Sequence, residues 1–115
     1  MRVCSPTSGR GIEPLVTLHH YEQPLYLANH YDGWRDRKVI DLFVRYARVC
    51  FERFGHLVRY WLSFNEIDSV FRHPWTTIGI CEDRYPADEL EQIIYQCVHN
   101  QFVASALATK LLHQL

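Results

Sequence analysis

A chain of 115 residues with 48% apolar and 22% charged residues has the composition of one small globular domain with enough apolar material for a core. The formal net charge of -1 and the scattered Lys and Arg exclude the one-signed surface of a nucleic-acid binder. No apolar run approaches the roughly 18 residues of a membrane span, and the first residues lack the apolar stretch of a secretion signal, so the expected location is the cytoplasm.

Residues Met1 to Gly11, rich in Ser, Pro, Gly and Arg, have no apolar period and read as loop or disorder. Leu15, Val16, Thr17 and Leu18 form a short, partly β-branched apolar run, the pattern of a strand buried on both faces, and it ends in His19, His20 and Tyr21. Asn29, Asp32 and Gly33 mark an irregular connection. Val39, Ile40, Phe43, Ala47, Cys50, Phe51 and Phe54 then recur at three- and four-residue steps, one apolar face of a helix that should stop at Gly55.

A second strand is expected over Leu57 to Phe64, running into the polar pair Asn65 and Glu66. Asp68 to Tyr85, with Pro74 and Gly79, reads as a long loop. Pro86 opens a last helix, with Asp88, Glu89 and Glu91 near the positive end of its dipole. The order strand, helix, strand, helix is that of right-handed crossover units joining parallel strands, an α/β arrangement. Two such strands do not make a stable sheet alone. A complete (β/α)8 barrel takes about 200 to more than 400 residues, so the chain looks like a segment of one, the alternative being a compact αβ domain with another sheet partner.

Active groups of parallel sheets and barrels sit at the carboxyl ends of the strands. Here those ends carry His20 on the first strand and Asn65 with Glu66 on the second. Such residues also serve merely to hydrogen-bond loops. Glu66 is the sharper candidate, because a carboxyl between Phe64 and Ile67 is expected to be partly desolvated, which suits general acid work. The adjacent His19 and His20 should point to opposite faces of the strand. His30, His56, His73, His99 and His113 fall at no ligand spacing, and no metal or cofactor is called for. Cys4, Cys50, Cys81 and Cys97 are irregularly spaced and read as free thiols. Tyr60, Trp61, Phe64, Phe71 and Trp75 offer a sugar-stacking surface, although aromatic residues in strands more often fill a core.

The motifs Thr17-Leu-His-His-Tyr-Glu-Gln-Pro24, Gly33-Trp34, Tyr46-Ala47 and Ser63-Phe-Asn-Glu-Ile67 resemble, in order and spacing, the third-strand to fourth-helix region of glycoside hydrolase family 1. The resemblance runs from about Gly11 to Leu115, and the Tyr60-Trp-Leu-Ser-Phe64 run, the Asn-Glu-Ile ending and Ala104-Ser-Ala-Leu-Ala108 look most like its 6-phospho-β-glucosidases. It implies a partial (β/α)8 barrel and a retaining glycosidase of the cytoplasm acting on a small-molecule β-glucoside or its 6-phosphate, with no nucleic-acid or membrane partner. By the same resemblance Glu66 is the acid/base, Asn65 binds the hydroxyl next to the anomeric carbon, and His20 holds another hydroxyl. The mechanism asks for a second carboxylate about 5 Å away as nucleophile, which in the family lies on a later strand, so this segment alone is expected to be inactive. Three departures accompany the resemblance: Tyr21 stands where the family commonly has Trp or Phe, Trp75-Thr-Thr-Ile-Gly79 differs from the usual loop, and Met1 to Arg10 does not resemble the helix that should precede Gly11. The last of these suggests a frame shift or alternative start. The functional alternatives are a non-catalytic carbohydrate-binding or interaction module and one part of a split enzyme.

Overall fold

A computed structural model describes residues 11–115 of the chain. The loop expected over Met1 to Gly11 and the divergence of Met1 to Arg10 fall, Gly11 apart, outside the described residues. The elements run β1 (Leu15–His19), α1 (Leu25–Tyr31), α2 (Lys38–Phe54), β2 (Tyr60–Phe64), α3 (Pro74–Ile78) and α4 (Ala87–Gln114), with single 3-10 turns at Gly33–Arg35, Ile67–Phe71 and Glu82–Arg84. β1 and β2 pair in parallel, with Leu15 opposite Tyr60, Val16 opposite Trp61, Thr17 opposite Leu62 and His19 opposite Phe64. The chain is thus two successive strand-helix units, as the sequence pattern predicts.

The expected face of α2 is buried: Val39, Ile40, Phe43, Ala47 and Phe51 point inward. Its first turn is capped from outside, the Asp36 carboxylate accepting the Lys38 N–H at 2.9 Å, which satisfies one of the orphan donors of a helix start. The helix does end at Phe54, but Gly55 keeps a right-handed backbone with φ -59 instead of the left-handed stop expected of a glycine. Both Leu57 and Val58 donate to the Phe54 carbonyl at 2.8 Å, so a tight hydrogen-bonded turn performs the termination. β2 is shorter than expected, starting at Tyr60, because Leu57 and Val58 are taken up in bonds to the Phe54 carbonyl. α4 begins one residue after Pro86 and buries Ile93, Ile94, Cys97, Ala104, Ala108 and Leu111 among others.

Two connections depart from the sequence expectation. The irregular stretch after β1 contains α1, closed by left-handed Asp32 and Gly33. The expected loop from Asp68 to Tyr85 is largely ordered into α3 and two 3-10 turns, and it buries Val70, Thr77, Ile78 and Ile80. Pro74 starts α3 at a position where its missing N–H costs nothing, and Gly79, with φ 71, ends it. A helix of five residues shows barely one turn of periodicity, which is why pattern alone leaves it invisible.

These two connections meet at a glycine. A Cβ on Gly33 would lie 2.0 Å from the Ile78 carbonyl oxygen, and Gly33 also has φ 59, so only glycine permits the approach. Asn100, fully buried on α4, ties the same region down by donating to the Trp34 carbonyl at 2.8 Å and the Arg35 carbonyl at 3.2 Å. Gln101 beside it donates to the Thr77 carbonyl at 3.0 Å.

Trp34, brought in by this turn, anchors an aromatic core with Phe43 and Phe64. Phe43 and Phe64 stack at 4.7 Å, and Trp34 meets Phe64 edge-on at 5.4 Å. The expectation of strands buried on both faces holds on the helix side only. Leu15, Tyr60 and Leu62 are 60%, 51% and 49% exposed, so the opposite face of the two-stranded sheet is uncovered among the described residues.

Candidate active site

The parallel register decides what shares the rim. β1 and β2 run in the same direction, so His20 and Tyr21 leave one carboxyl end while Asn65 and Glu66 leave its neighbour. The ladder extends one step beyond the strands, the Asn65 N–H donating to the His19 carbonyl at 2.9 Å. His20, Asn65 and Glu66 are therefore on one edge, as the sequence pattern requires. A side-chain bond joins the two strand ends through the residue that departs from the Trp or Phe common in the family: the Tyr21 hydroxyl donates to Oε2 of Glu66.

The two histidines separate as alternation demands. His19 is buried, edge-on to Trp34 at 6.2 Å and tilted against Phe64 at 5.3 Å, and burial lowers its pKa against the opposing influence of Gln23 and Glu22. It is a neutral core histidine. His20 is exposed; its backbone N–H donates to the Glu22 carboxylate at 2.9 Å, and its ring stands edge-on to Tyr21 at 5.4 Å.

Glu66 differs from expectation in its surroundings. Its side chain is exposed, while Phe64 and Ile67 turn partly away into the packing, so the apolar neighbours in sequence do not enclose the carboxyl. Its backbone, by contrast, is well held: the Glu66 carbonyl accepts the N–H of Ser69 at 2.9 Å and the Ser69 hydroxyl at 2.8 Å, and Ser69 is fully buried. Tyr21 titrates above the ordinary tyrosine value, chiefly because its hydrogen bond to Glu66 favours the protonated phenol, while Ser69 and Asn65 pull the other way.

A cleft of about 250 Å³ opens beside Tyr21, lined also by Gln23, Pro24, Trp75 and Thr76 among others; Glu66 is not in its lining. The Gln23 side-chain amide donates to the Trp75 carbonyl at 3.2 Å and fixes the cleft wall to α3. Trp75 is half exposed there. The other aromatic candidates scatter: Trp61 packs on Phe51 at 5.0 Å, Phe64 is in the core, Phe71 leans on Tyr95 at 5.1 Å, and Tyr60 lies at the far end of β2. They do not form one stacking surface. Cys50, Cys81 and Cys97 are free thiols, and Cys4 lies outside the described residues. Among the described residues no His, Cys, Asp and Glu side chains gather into a group of three suited to a metal ion, and no helix is long and apolar enough to cross a membrane.

Comparison with known proteins places this geometry. The chain is 48% identical over 105 residues to the 6-phospho-beta-glucosidase AscB of Escherichia coli, covering 91% of this chain and 22% of that protein. It is 49% identical over 104 residues to the phospho-cellobiase of Klebsiella oxytoca, covering 90% of this chain and 21% of that protein. The chain thus spans about a fifth of the length of these curated relatives. Among solved structures, the family 1 β-glucosidase of Thermotoga maritima superposes with a TM-score of 0.80 at 29% identity, covering 98% of this chain and 24% of that one. The rice Os3BGlu6 β-glucosidase superposes equally well, with a TM-score of 0.80 at 28% identity over 98% of this chain and 25% of that one. The two strand-helix units are accordingly a segment of a (β/α)8 barrel. The sequence model of glycosyl hydrolase family 1 matches residues 2–115, and the chain belongs to that family.

Proposed function

We propose that this chain carries the acid/base part of a retaining β-glycosidase site, with Glu66 as proton donor and acceptor, Asn65 holding the hydroxyl beside the anomeric carbon and His20 holding a second hydroxyl of the same sugar. The observation that carries this is the placement of Asn65 and Glu66 at the carboxyl end of β2, directly beside the end of β1 that bears His20, in a chain of a family whose members hydrolyse glycosides. In such a reaction Glu66 gives its proton to the glycosidic oxygen as the bond to the anomeric carbon breaks. The bonding pair leaves with the oxygen, and a second carboxylate takes the anomeric carbon. Glu66 then removes a proton from water, which displaces that carboxylate.

The similarity of nearly half the residues to AscB and to the phospho-cellobiase favours a 6-phosphorylated β-glucoside as substrate. No nucleophile is assigned within this segment, so the 115-residue chain by itself should not turn over glycosides. The test is a chimera in which residues 11–115 replace their counterpart in AscB. It should hydrolyse an alkyl β-glucoside 6-phosphate, and Glu66→Gln should reduce kcat by roughly 10²- to 10⁴-fold. A folded chimera equally active with and without Glu66→Gln would refute the assignment.

A further inference from the structure

The register of β1 and β2 ends with His19 opposite Phe64. Two residues further along each strand stand Tyr21 and Glu66, and both have left the extended backbone for the left-handed region, with φ 75 and φ 45. Positive φ is uncommon in residues other than glycine. Its occurrence at the equivalent step of two neighbouring strands turns both side chains off the ladder and onto one rim, where the Tyr21 phenol donates to Glu66 Oε2. Glu66 is meanwhile held from behind by the two bonds of buried Ser69 to its carbonyl. Backbone and side chain of the same residue are thus fixed by different partners.

We propose that Tyr21 is a positioning residue for the Glu66 carboxyl, holding Oε2 as a hydrogen-bond acceptor so that Oε1 is the oxygen that carries and delivers the proton. The idea rests on the assignment of Glu66 as acid/base. A protonated carboxyl has one oxygen that only accepts and one that donates, and a fixed donor at Oε2 selects between them without taking part in the proton transfer. Phenylalanine or tryptophan at position 21 would keep the aromatic wall and lose this selection. The groups facing the phenol are Glu66, Asn65, Ser69 and the edge-on ring of His20, and the bond to Glu66 is the largest cause of the rise in Tyr21's pKa, ahead of burial.

The first measurement uses the 115-residue chain with ring-labelled tyrosine and follows each phenol carbon by NMR as pH rises, Tyr21 being assigned by its loss in Tyr21→Phe. Tyr21 should ionise above the ordinary value of about 10 and fall toward it in Glu66→Gln. Tyr46, pushed up to about 12 mainly by burial, should stay where it is and so reports that the variant is folded. A Tyr21 that titrates normally in the wild type, or that does not move in folded Glu66→Gln, overturns the pairing. The second measurement needs no Glu66 variant. In the AscB chimera, Tyr21→Phe should lower kcat by about 10- to 100-fold for an alkyl leaving group, which depends on a well-placed acid, and by much less for a dinitrophenyl leaving group, which does not. Equal losses for both substrates would show a structural role only. The titration involves no glycoside, so an inactive parent chimera counts against the hydrolase proposal and leaves the Tyr21 to Glu66 bond to stand or fall separately.

Discussion

Replacing Asn100 with alanine removes the side chain that ties the turn carrying Trp34 to α4. Its amide nitrogen donates to the carbonyls of Trp34 and Arg35, and its oxygen accepts from Gln96 at 3.0 Å and Arg37 at 3.4 Å. The Trp34 carbonyl sits in a buried hydrogen bond, and leaving such a group unpaired costs about 1–3 kcal/mol. The Arg35 carbonyl and the Gln96 and Arg37 donors are only partly buried and can recover water, so each adds roughly 0.5 kcal/mol or less. The truncation also leaves a small cavity at a position with no exposed surface. Together these give a loss of about 2–4 kcal/mol, a large share of the 5–15 kcal/mol typical of a domain. Urea unfolding followed by far-UV circular dichroism should show the midpoint falling with the slope unchanged. A loss under about 1 kcal/mol would mean that the turn carrying Trp34 is held by packing alone, and that the buried amide is not the tie described here.

Gly33→Ala places a Cβ against the Ile78 carbonyl oxygen in a left-handed backbone and should cost about 3 kcal/mol or more, whereas Gly11→Ala, also left-handed but with nothing within 4 Å of its Cβ among the described residues, should cost only the backbone term of about 1–2 kcal/mol; the same urea titration compares them, and equal losses would refute the close approach. Burial lowers the pKa of His19, so below the unfolded value of about 6.5 the unfolded chain takes up a proton that the folded chain refuses. Stability from this residue is therefore present above that pH and declines as pH falls through it toward the folded pKa, by at most about 1.4 kcal/mol per pH unit. Urea midpoints measured between pH 7.5 and 5 should show this slope in the wild type and a shallower one in His19→Phe, and parallel slopes would count against a buried neutral His19.

The parts legible in the sequence are those with a long or a sharply bounded signal. The α2 face repeats over 17 residues, and the carboxyl end of β2 is marked by an abrupt change from Phe64 to Asn65. α1 and α3 were hidden because seven and five residues are too few for a helical period, and α3 is stabilised by burial of Thr77 and Ile78 under α4, a tertiary cause. Glu66 could be picked as a candidate from its position, but its exposure could not, since neighbours in sequence diverge in space once the backbone turns left-handed. The role of Tyr21 is not legible in the sequence for a related reason. Its partner is 45 residues away, and only the register of the parallel pair shows that residue 21 is the counterpart of residue 66.

The uncovered sheet face follows from the same geometry as the site. Parallel strands in a barrel read as continuous apolar runs because both faces are buried, and Leu15, Tyr60 and Leu62 keep that character here although only the helix side is covered. Their exposure is the local counterpart of the share of each relative that the chain spans, about a fifth: further strands of a barrel would close over this face and pair with the edges of β1 and β2 that have no strand partner among the described residues. The rim bearing His20, Tyr21, Asn65 and Glu66 depends less on that closure. Its alignment is set by the β1 to β2 register, the Ser69 bonds beneath Glu66 and the Gln23 tie to α3, all within the described residues. The segment therefore holds the rim proposed for the acid/base as a local property of two neighbouring strand-helix units.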